Sequence, residues 1–348
     1  MDELDGVSIT LLYLEGEGIP IVHGQLVQGG EFASLSVNQG RFIAARDGAG
    51  TRPVWVRNDG RVVASDHRFL VNESFTLLGA GTEMALGGRS RRLVLPGELV
   101  PDDFEGAAVR LASLIDSSVK RRVEGHAKVA VSFSGGLDSS IVVKCASRYA
   151  EVVACSVHCA GSADAVGAAG SAEALDVALV ERKLDRDSLA SELRSLDLPF
   201  DASAMDRALW CIYSVSSRMA REAGAEAIML GQLADELFGG YKKYQVALSE
   251  SGSLAAERLM AADVKGCGER GFVRDEIACS RSLEPRFPFS DDRILSFGLA
   301  CPTFFKLKGG ERKAILRKAA KILGVPEDIC TAPKKAAQYS SGVLKLLA

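Results

Sequence analysis

The residues with the clearest chemical meaning are SFSGGLDSSIV, positions 132–142. Four serines, two glycines and an aspartate stand between the apolar runs VAV and IVV. At a strand-to-helix junction such a stretch turns backbone N–H groups and hydroxyls toward an anion. Gly135 and Gly136 let the backbone approach a ligand closely and adopt positive φ, and Ser134, Ser139 and Ser140 add hydroxyl donors. The pattern is a phosphate cradle, but not of the Walker kind, since GxxxxGK[ST] occurs nowhere in the chain. Asp138 makes the difference. A carboxylate beside bound phosphates repels them unless a divalent cation intervenes, and Mg²⁺ is the usual ion. The loop therefore reads as a pyrophosphate holder with Asp138 on the metal.

The surrounding elements must bring that loop to a ligand. KVAVSF reads as a buried strand before it and SSIVVKCASRYA as a helix after it. Further on, VVACSVHC and EAIMLG read as buried strands, and AEALDVALVERKL as a helix end with a third strand. FEGAAVRLASLIDSSVKRRV and DRALWCIYSVSSRMAREAG have helical spacing, the second stopped by Gly224. Alternating strands and helices imply a parallel sheet, whose ligands bind at the carboxyl ends of the strands. Residues 1 to about 95 differ: short alternating runs predict mainly β structure, with a hairpin at Asn58-Asp59-Gly60. LPGELVPDD supplies a linker, and the chain beyond about residue 245 reads mostly helical. The expectation is an α/β chain with a small, mainly β domain over 1–97 and a parallel-sheet domain over 98–348.

Composition bounds the function. A chain of 348 residues favours two domains. It is 47% hydrophobic and 25% charged, with a net charge of -3, which argues against a nucleic-acid coat or an anionic-membrane binder. No apolar run approaches a membrane span, and the acidic start does not read as a secretory signal. Eight cysteines without a CxxC pair read as reduced thiols of a cytoplasmic protein. GCGERG (266–271) lacks a preceding strand and reads as a loop, KLKGGERK (306–313) as a solvated helix start rather than a nucleic-acid patch, with an approach of this region to pyrophosphate left open, and the basic residues of SSVKRRVEG as an exposed helix end.

SGGLDSS resembles the signature loop of the ATP pyrophosphatases, which cleave ATP between its α and β phosphates. LGQLADELFGGYKKY (230–244) is similar to the second motif of the asparagine synthetases, and it follows a strand, so it should reach the same sheet edge. EPRFPFSDDRIL (284–295) and APKKAAQYSSG (332–342) resemble two further segments of that family, in the same order. The resemblance implies an adenine nucleotide α hydrolase-like fold over the second domain, with ATP and Mg²⁺ as cofactors. It implies nucleotide contacts from Ser132, Phe133, Ser134, Gly135, Gly136, Asp138, Ser139, Ser140, Val157 and Gly231, with adenine against Ser132-Phe133 and Ser156-Val157. Mg²⁺ falls to Asp138 and Asp235. The lysine that offsets charge on pyrophosphate falls to Lys334 or, as second choice, Lys335. Residues 42–70 resemble part of a class II glutaminase domain. However, that domain's nucleophile is an N-terminal cysteine, residue 2 here is Asp2, and the first cysteine is Cys145. A structural remnant, with Arg46 and Asp47 in a buried turn or ion pair, is the expectation.

The implied activity is adenylation of a carboxylate, aspartate in the simplest case, followed by amidation with free ammonia. Where the family has a glutamate that assists the amine, this chain has Gln232, which accepts no proton at ordinary pH. Glu236 is the other candidate for that task, and Leu233 replaces a motif glycine. A ligase using a different carboxylate or amine, and a nucleotide binder without turnover, stay open as alternatives. Small molecules rather than nucleic acid or membrane are the expected partners, and a homodimer or a separate ammonia-supplying glutaminase is compatible with all three readings.

Overall fold

The computed structural model describes residues 11–12, 21–23, 30–38, 41–60, 62–70, 73–332 and 341–347. Its centre is a five-stranded parallel sheet in the spatial order Ala178–Leu184, Glu151–Cys159, Lys128–Ser132, Ala227–Met229, Pro285–Arg286. Val129, Ala130 and Val131 are wholly buried, as an unbroken apolar run must be when a parallel sheet is covered on both faces. Helices Leu137–Ala146 and Ala204–Glu222 pack on these strands. A Ser203–Asp206 capping box starts the second, and Gly224, at φ +79°, follows its end.

The order of the strands decides where a ligand can sit. The first strand in sequence lies in the middle, with the second and third on one side and the fourth and fifth on the other. Winding therefore reverses between Lys128–Ser132 and Ala227–Met229, where Val131 pairs with Met229. The loops leaving these two strands diverge and open a crevice, the switch point at which open α/β sheets bind ligands. Those loops are SGGLDSS and the segment starting at Gly231, so two stretches a hundred residues apart meet because of topology.

Before residue 93 the described chain forms antiparallel sheets. One runs Ile21–His23, Ala33–Asn38, Arg41–Arg46, Thr82–Ala85, Ser90–Arg92; the other runs Leu11–Leu12, Val63–Ala64, Trp55–Arg57, Phe75–Leu77. The predicted hairpin joins Trp55–Arg57 to Val63–Ala64, with Gly60 at φ +73°. Leu35, Ala44, Val54, Val56, Val63 and Leu78 share a small core. A second cluster sets Trp55 and Leu70 against Val273 of helix Phe272–Ser280.

Three local expectations are corrected. GCGERG is no loop: Cys267–Gly271 forms a π-helical turn between helices Ser253–Gly266 and Phe272–Ser280. Its glycines permit close packing on both sides rather than a phosphate-binding bend. KLKGGERK is no solvated helix start: it forms the hairpin Leu307–Lys308 with Glu311–Arg312, and Lys313 beyond it is buried. The basic end of helix Phe104–Val123 is not fully exposed, because Arg122 is buried and pairs with Glu31 and Asp291. Arg46 and Asp47 are buried as expected. Asp47 accepts from the backbone N–H groups of Gly50 and Thr51 and from the Thr51 hydroxyl. All eight cysteines are free and buried.

Candidate active site

The SGGLDSS loop gets its shape from two glycines and the helix behind them. Gly135 sits at φ +71°, and a Cβ there would lie 2.6 Å from the Gly167 carbonyl oxygen, so only glycine fits. Gly136 caps helix Leu137–Ala146 with extended backbone, leaving the first-turn N–H groups directed into the crevice. The Ser171 hydroxyl donates to the Gly135 carbonyl at 2.9 Å and pins the turn. Ser139 donates to Gly136 at 3.1 Å.

A cavity of about 760 Å³ opens at this point. Its lining includes Ser132, Phe133, Ser134, Gly135, Gly136, Asp138, Ser139, Val157, Gly231, Gln232, Asp235 and Glu236. Thus nearly all the residues singled out in the sequence share one space, of a size usual for small-molecule sites. Ser140 is the exception and a correction. It is fully buried, its hydroxyl has no partner among the described residues, and it does not line the cavity. As the fourth residue of the helix it faces the core. Lys334 and Lys335 lie outside the described residues.

The residue that sequence reasoning missed is Lys313. Its ammonium reaches Asp138 Oδ1 at 2.5 Å and Oδ2 at 2.6 Å, and Asp235 Oδ1 at 2.6 Å. One buried cation therefore joins the two carboxylates expected to share a metal. Basic residues around two glycines were visible in KLKGGERK, but nothing in a single sequence shows that a hairpin folds the last lysine inward. Lys313 holds φ +59° and Leu233 φ +79°, left-handed conformations that cost a side-chain-bearing residue about 1–2 kcal/mol. Strain of this kind collects where a site fixes its geometry, and here it flanks the charged cluster on two sides. Gly240 is required for space, since a Cβ would fall 1.8 Å from Asp235 Oδ1 and 2.6 Å from Lys313 Cε. Gly240→Ala is therefore expected to displace the cluster and cost roughly a hundredfold in turnover, with thermal unfolding little changed; melting temperature and nucleotide-dependent turnover measured together check this.

The donor set suits Mg²⁺. Two carboxylates converge within reach of one point beside a phosphate cradle, and Mg²⁺ characteristically takes one or two carboxylates plus substrate phosphates. A second cation close to Lys313 is tolerable there because phosphates would add compensating negative charge. Among the described residues no group of three or more His, Cys, Asp or Glu is placed to hold a metal ion.

Next to the carboxylates the lining carries further ionisable side chains, Glu236, Tyr241, Arg270 and Arg274 among them. Glu236 is buried, and Tyr241 donates its hydroxyl to Glu236 Oε1 at 2.6 Å. Burial first, and the neighbouring Asp235 second, push the Glu236 carboxyl up to about 7. Gln232 points its amide at Cys267, Nε2 to Sγ 3.8 Å. Arg274 also lines this end and is held by Asp206 at 2.9 Å and Asp275 at 2.7 Å. Arg270 stacks over the Phe200 ring at 4.1 Å and bonds Asp206 at 3.2 Å. Arg317 donates to the carbonyls of Cys330 and Ala332, anchoring the chain just before residues 333–340.

The parallel sheet with the SGGLDSS loop at its switch point defines an α/β protein whose ligand crevice opens at the carboxyl ends of its strands. The chain belongs to the asparagine synthase family, whose profile matches residues 110–269 and 256–346. This is a family of ATP-using ligases. Relatives include the putative asparagine synthetase [glutamine-hydrolyzing] 1 of Methanocaldococcus jannaschii, 28% identical over 70% of this chain and 51% of the relative. The asparagine synthetase [glutamine-hydrolyzing] of Mus musculus is 27% identical over 69% of this chain and 44% of the relative. The chain thus spans about half the length of these relatives. A structure of NMN synthetase from Francisella tularensis aligns with a TM-score of 0.37 at 10% identity, covering 70% of this chain and 79% of that one. No helix among the described residues is long and apolar enough to cross a membrane.

Proposed function

We propose that this chain is an ATP-dependent amide ligase that adenylates a small carboxylate, aspartate in the simplest case, and amidates it with free ammonia. The observation that carries the reading is a single cavity with a phosphate cradle and a joined Asp138–Lys313–Asp235 cluster at one end, and the buried Glu236–Tyr241 pair beyond. Residues 134–139 bind the β and γ phosphates. Asp138 and Asp235 would hold a Mg²⁺ ion, which when bound supplies positive charge against the departing pyrophosphate. The substrate carboxylate oxygen forms a bond to the α phosphorus as the bond from that phosphorus to the bridging oxygen breaks. Lys313 stays beside the phosphates and offsets the charge that develops on the leaving group, and Lys334 or Lys335, outside the described residues, is the second candidate for that task. Ammonia then attacks the acyl carbonyl, AMP leaves, and the proton lost from nitrogen passes to Glu236, whose affinity for it lies close to neutral pH. The eight free, buried thiols suit a reducing cytoplasmic setting.

The test is AMP and pyrophosphate release from ATP with Mg²⁺, L-aspartate and ammonium chloride, with asparagine scored in the same tubes. Asparagine in step with AMP is the expected result. AMP without asparagine would move the assignment to another amine, a second reading that Gln232 favours because a neutral amide stands where the family has a glutamate. Neither product, alongside measurable ATP binding, would leave a nucleotide binder. Glutamine in place of ammonium should support no turnover by this chain. Gln232→Glu is expected to raise the amide-forming rate on the order of tenfold if ammonia is the nucleophile, since it adds a proton acceptor at the same place; single-turnover decay of the adenylate measures it.

A further inference from the structure

The loop over residues 46–52 belongs to the N-terminal sheets, yet it grips the wall of the cavity. Arg46 is wholly buried and donates four hydrogen bonds to carbonyl oxygens. Three are local: Arg52 at 2.7 Å, Leu78 at 2.9 Å and Gly50 at 2.5 Å. The fourth crosses to Gly268 at 2.7 Å, inside the π-helical turn. Contact there is close, because a Cβ on Gly268 would meet the Ala49 carbonyl oxygen at 2.7 Å and Ala80 Cβ at 3.0 Å. A few residues on, Arg52 pairs with Glu276 of the following helix and with Glu284.

The opposite side of the same turn faces the cavity. Cys267, Arg270 and Gly271 line it, and Arg274 follows one turn later. A Cβ on Gly271 would stand 3.2 Å from Gln232 Nε2, the amide that also reaches Cys267 Sγ. Both glycines of this stretch are therefore explained by close approach, one to the N-terminal loop and the other to Gln232. The two anchors, Gly268 and Glu276, bracket Gly271 and Arg274. π-helical turns are uncommon and often sit at functional sites, and here a buried guanidinium from another part of the fold holds one in place.

We infer that Arg46 is a positioning residue. Through Gly268 it fixes the π-helical turn, and thereby the placement of Gln232 and Arg270 at the end of the cavity that takes the carboxylate and the amine. The inference rests on the ligase reading for the identity of that end, but not for the mechanical link. It also gives the N-terminal sheets a task that needs no cysteine nucleophile.

The experiment uses the full chain with Arg46→Gln, Arg46→Lys and Gly268→Ala. Alkylation of Cys267 by N-ethylmaleimide, followed by peptide mass, reports the turn directly. Arg46→Gln and Gly268→Ala are expected to speed Cys267 labelling about tenfold or more, the effect of loosening one buried charged contact, while Cys145 and Cys279 in the core stay as slow as in the parent. Arg46→Lys, which keeps a cation and donors, should fall between. In turnover the same two variants should raise KM for L-aspartate with MgATP affinity unchanged within about twofold. Unaltered Cys267 labelling in both variants would overturn the inference. So would Cys145, Cys279 and Cys267 rising together, which is general loosening. If the parent chain makes no product from L-aspartate, the ligase reading fails on that substrate and the labelling still decides the link.

Discussion

Asp138→Ala is expected to lower AMP and pyrophosphate release at least about a thousandfold, the range for removing a principal group that stabilises transition-state charge. Asp138 sits in the first turn of the helix behind the phosphate cradle, and its carboxylate meets the Lys313 ammonium with both oxygens. Removing it would take away one of the two carboxylates proposed to hold Mg²⁺. It also leaves Lys313 bound to Asp235 alone, so the ammonium can swing off the phosphates. A second readout does not depend on the acyl substrate. ATP affinity in the parent chain should rise when Mg²⁺ is added, and in Asp138→Ala it should be nearly the same with and without the ion. Full Mg²⁺ dependence of ATP binding in the variant would sink the assignment of Asp138, whatever the turnover. Lys313→Met separates the two contributions: it should keep the Mg²⁺ effect on binding while losing most of the rate.

How much of this site could be read from the sequence follows from what each feature depends on. The cradle is local: its glycines, serines and helix start are contiguous, so spacing alone predicts Gly135, Gly136, Ser134 and Ser139. Asp235 as the partner of Asp138 was implied by the resemblance, supported by the strand before it, and the strand order shows why the two loops meet at one edge. Ser140 was misjudged because a hydroxyl in a cradle motif counts as a donor until helical phase is known, and one residue past Ser139 the helix has turned it into the core. Lys313 was out of reach for a different reason. It gets to the carboxylates by a two-strand hairpin and one left-handed residue, a long-range arrangement with no periodicity to betray it. The π-helical turn had the same fault in reverse: GCGERG matches a phosphate-loop pattern in letters, while Gly268 answers to Ala49 on one side and Gly271 to Gln232 on the other.

The second large effect is expected at Glu236, where activity and stability should move in opposite directions. Glu236→Gln keeps the acceptor for the Tyr241 hydroxyl and removes the proton acceptor for the amine, so the amide-forming step should slow by about 10²- to 10⁴-fold while adenylation persists. In the parent chain the amide-forming rate should climb with pH through about 7, as the carboxyl ionises. Stability follows the opposite course. Burial holds this carboxyl protonated in the folded chain up to about 7, against 4.5 in the unfolded chain. Between those values the folded state binds more protons, so its contribution is fully present below about 4.5, is lost as pH rises through 7, and is flat above. A shift of this size corresponds to roughly 3 kcal/mol. Asp275 and Asp292, each pushed up to about 6 by burial first, slope the same way over a lower range. Glu236→Gln therefore should match the parent near pH 4.5 and exceed it at pH 8 in denaturant unfolding, while being the slower amide former. A variant no more stable than the parent at pH 8 would mean that Glu236 is solvated in the working protein, and a solvated glutamate would be a weak base at neutral pH. The two measurements therefore stand or fall on one physical cause: the burial that makes Glu236 costly to ionise is what keeps its proton affinity where an amine can use it.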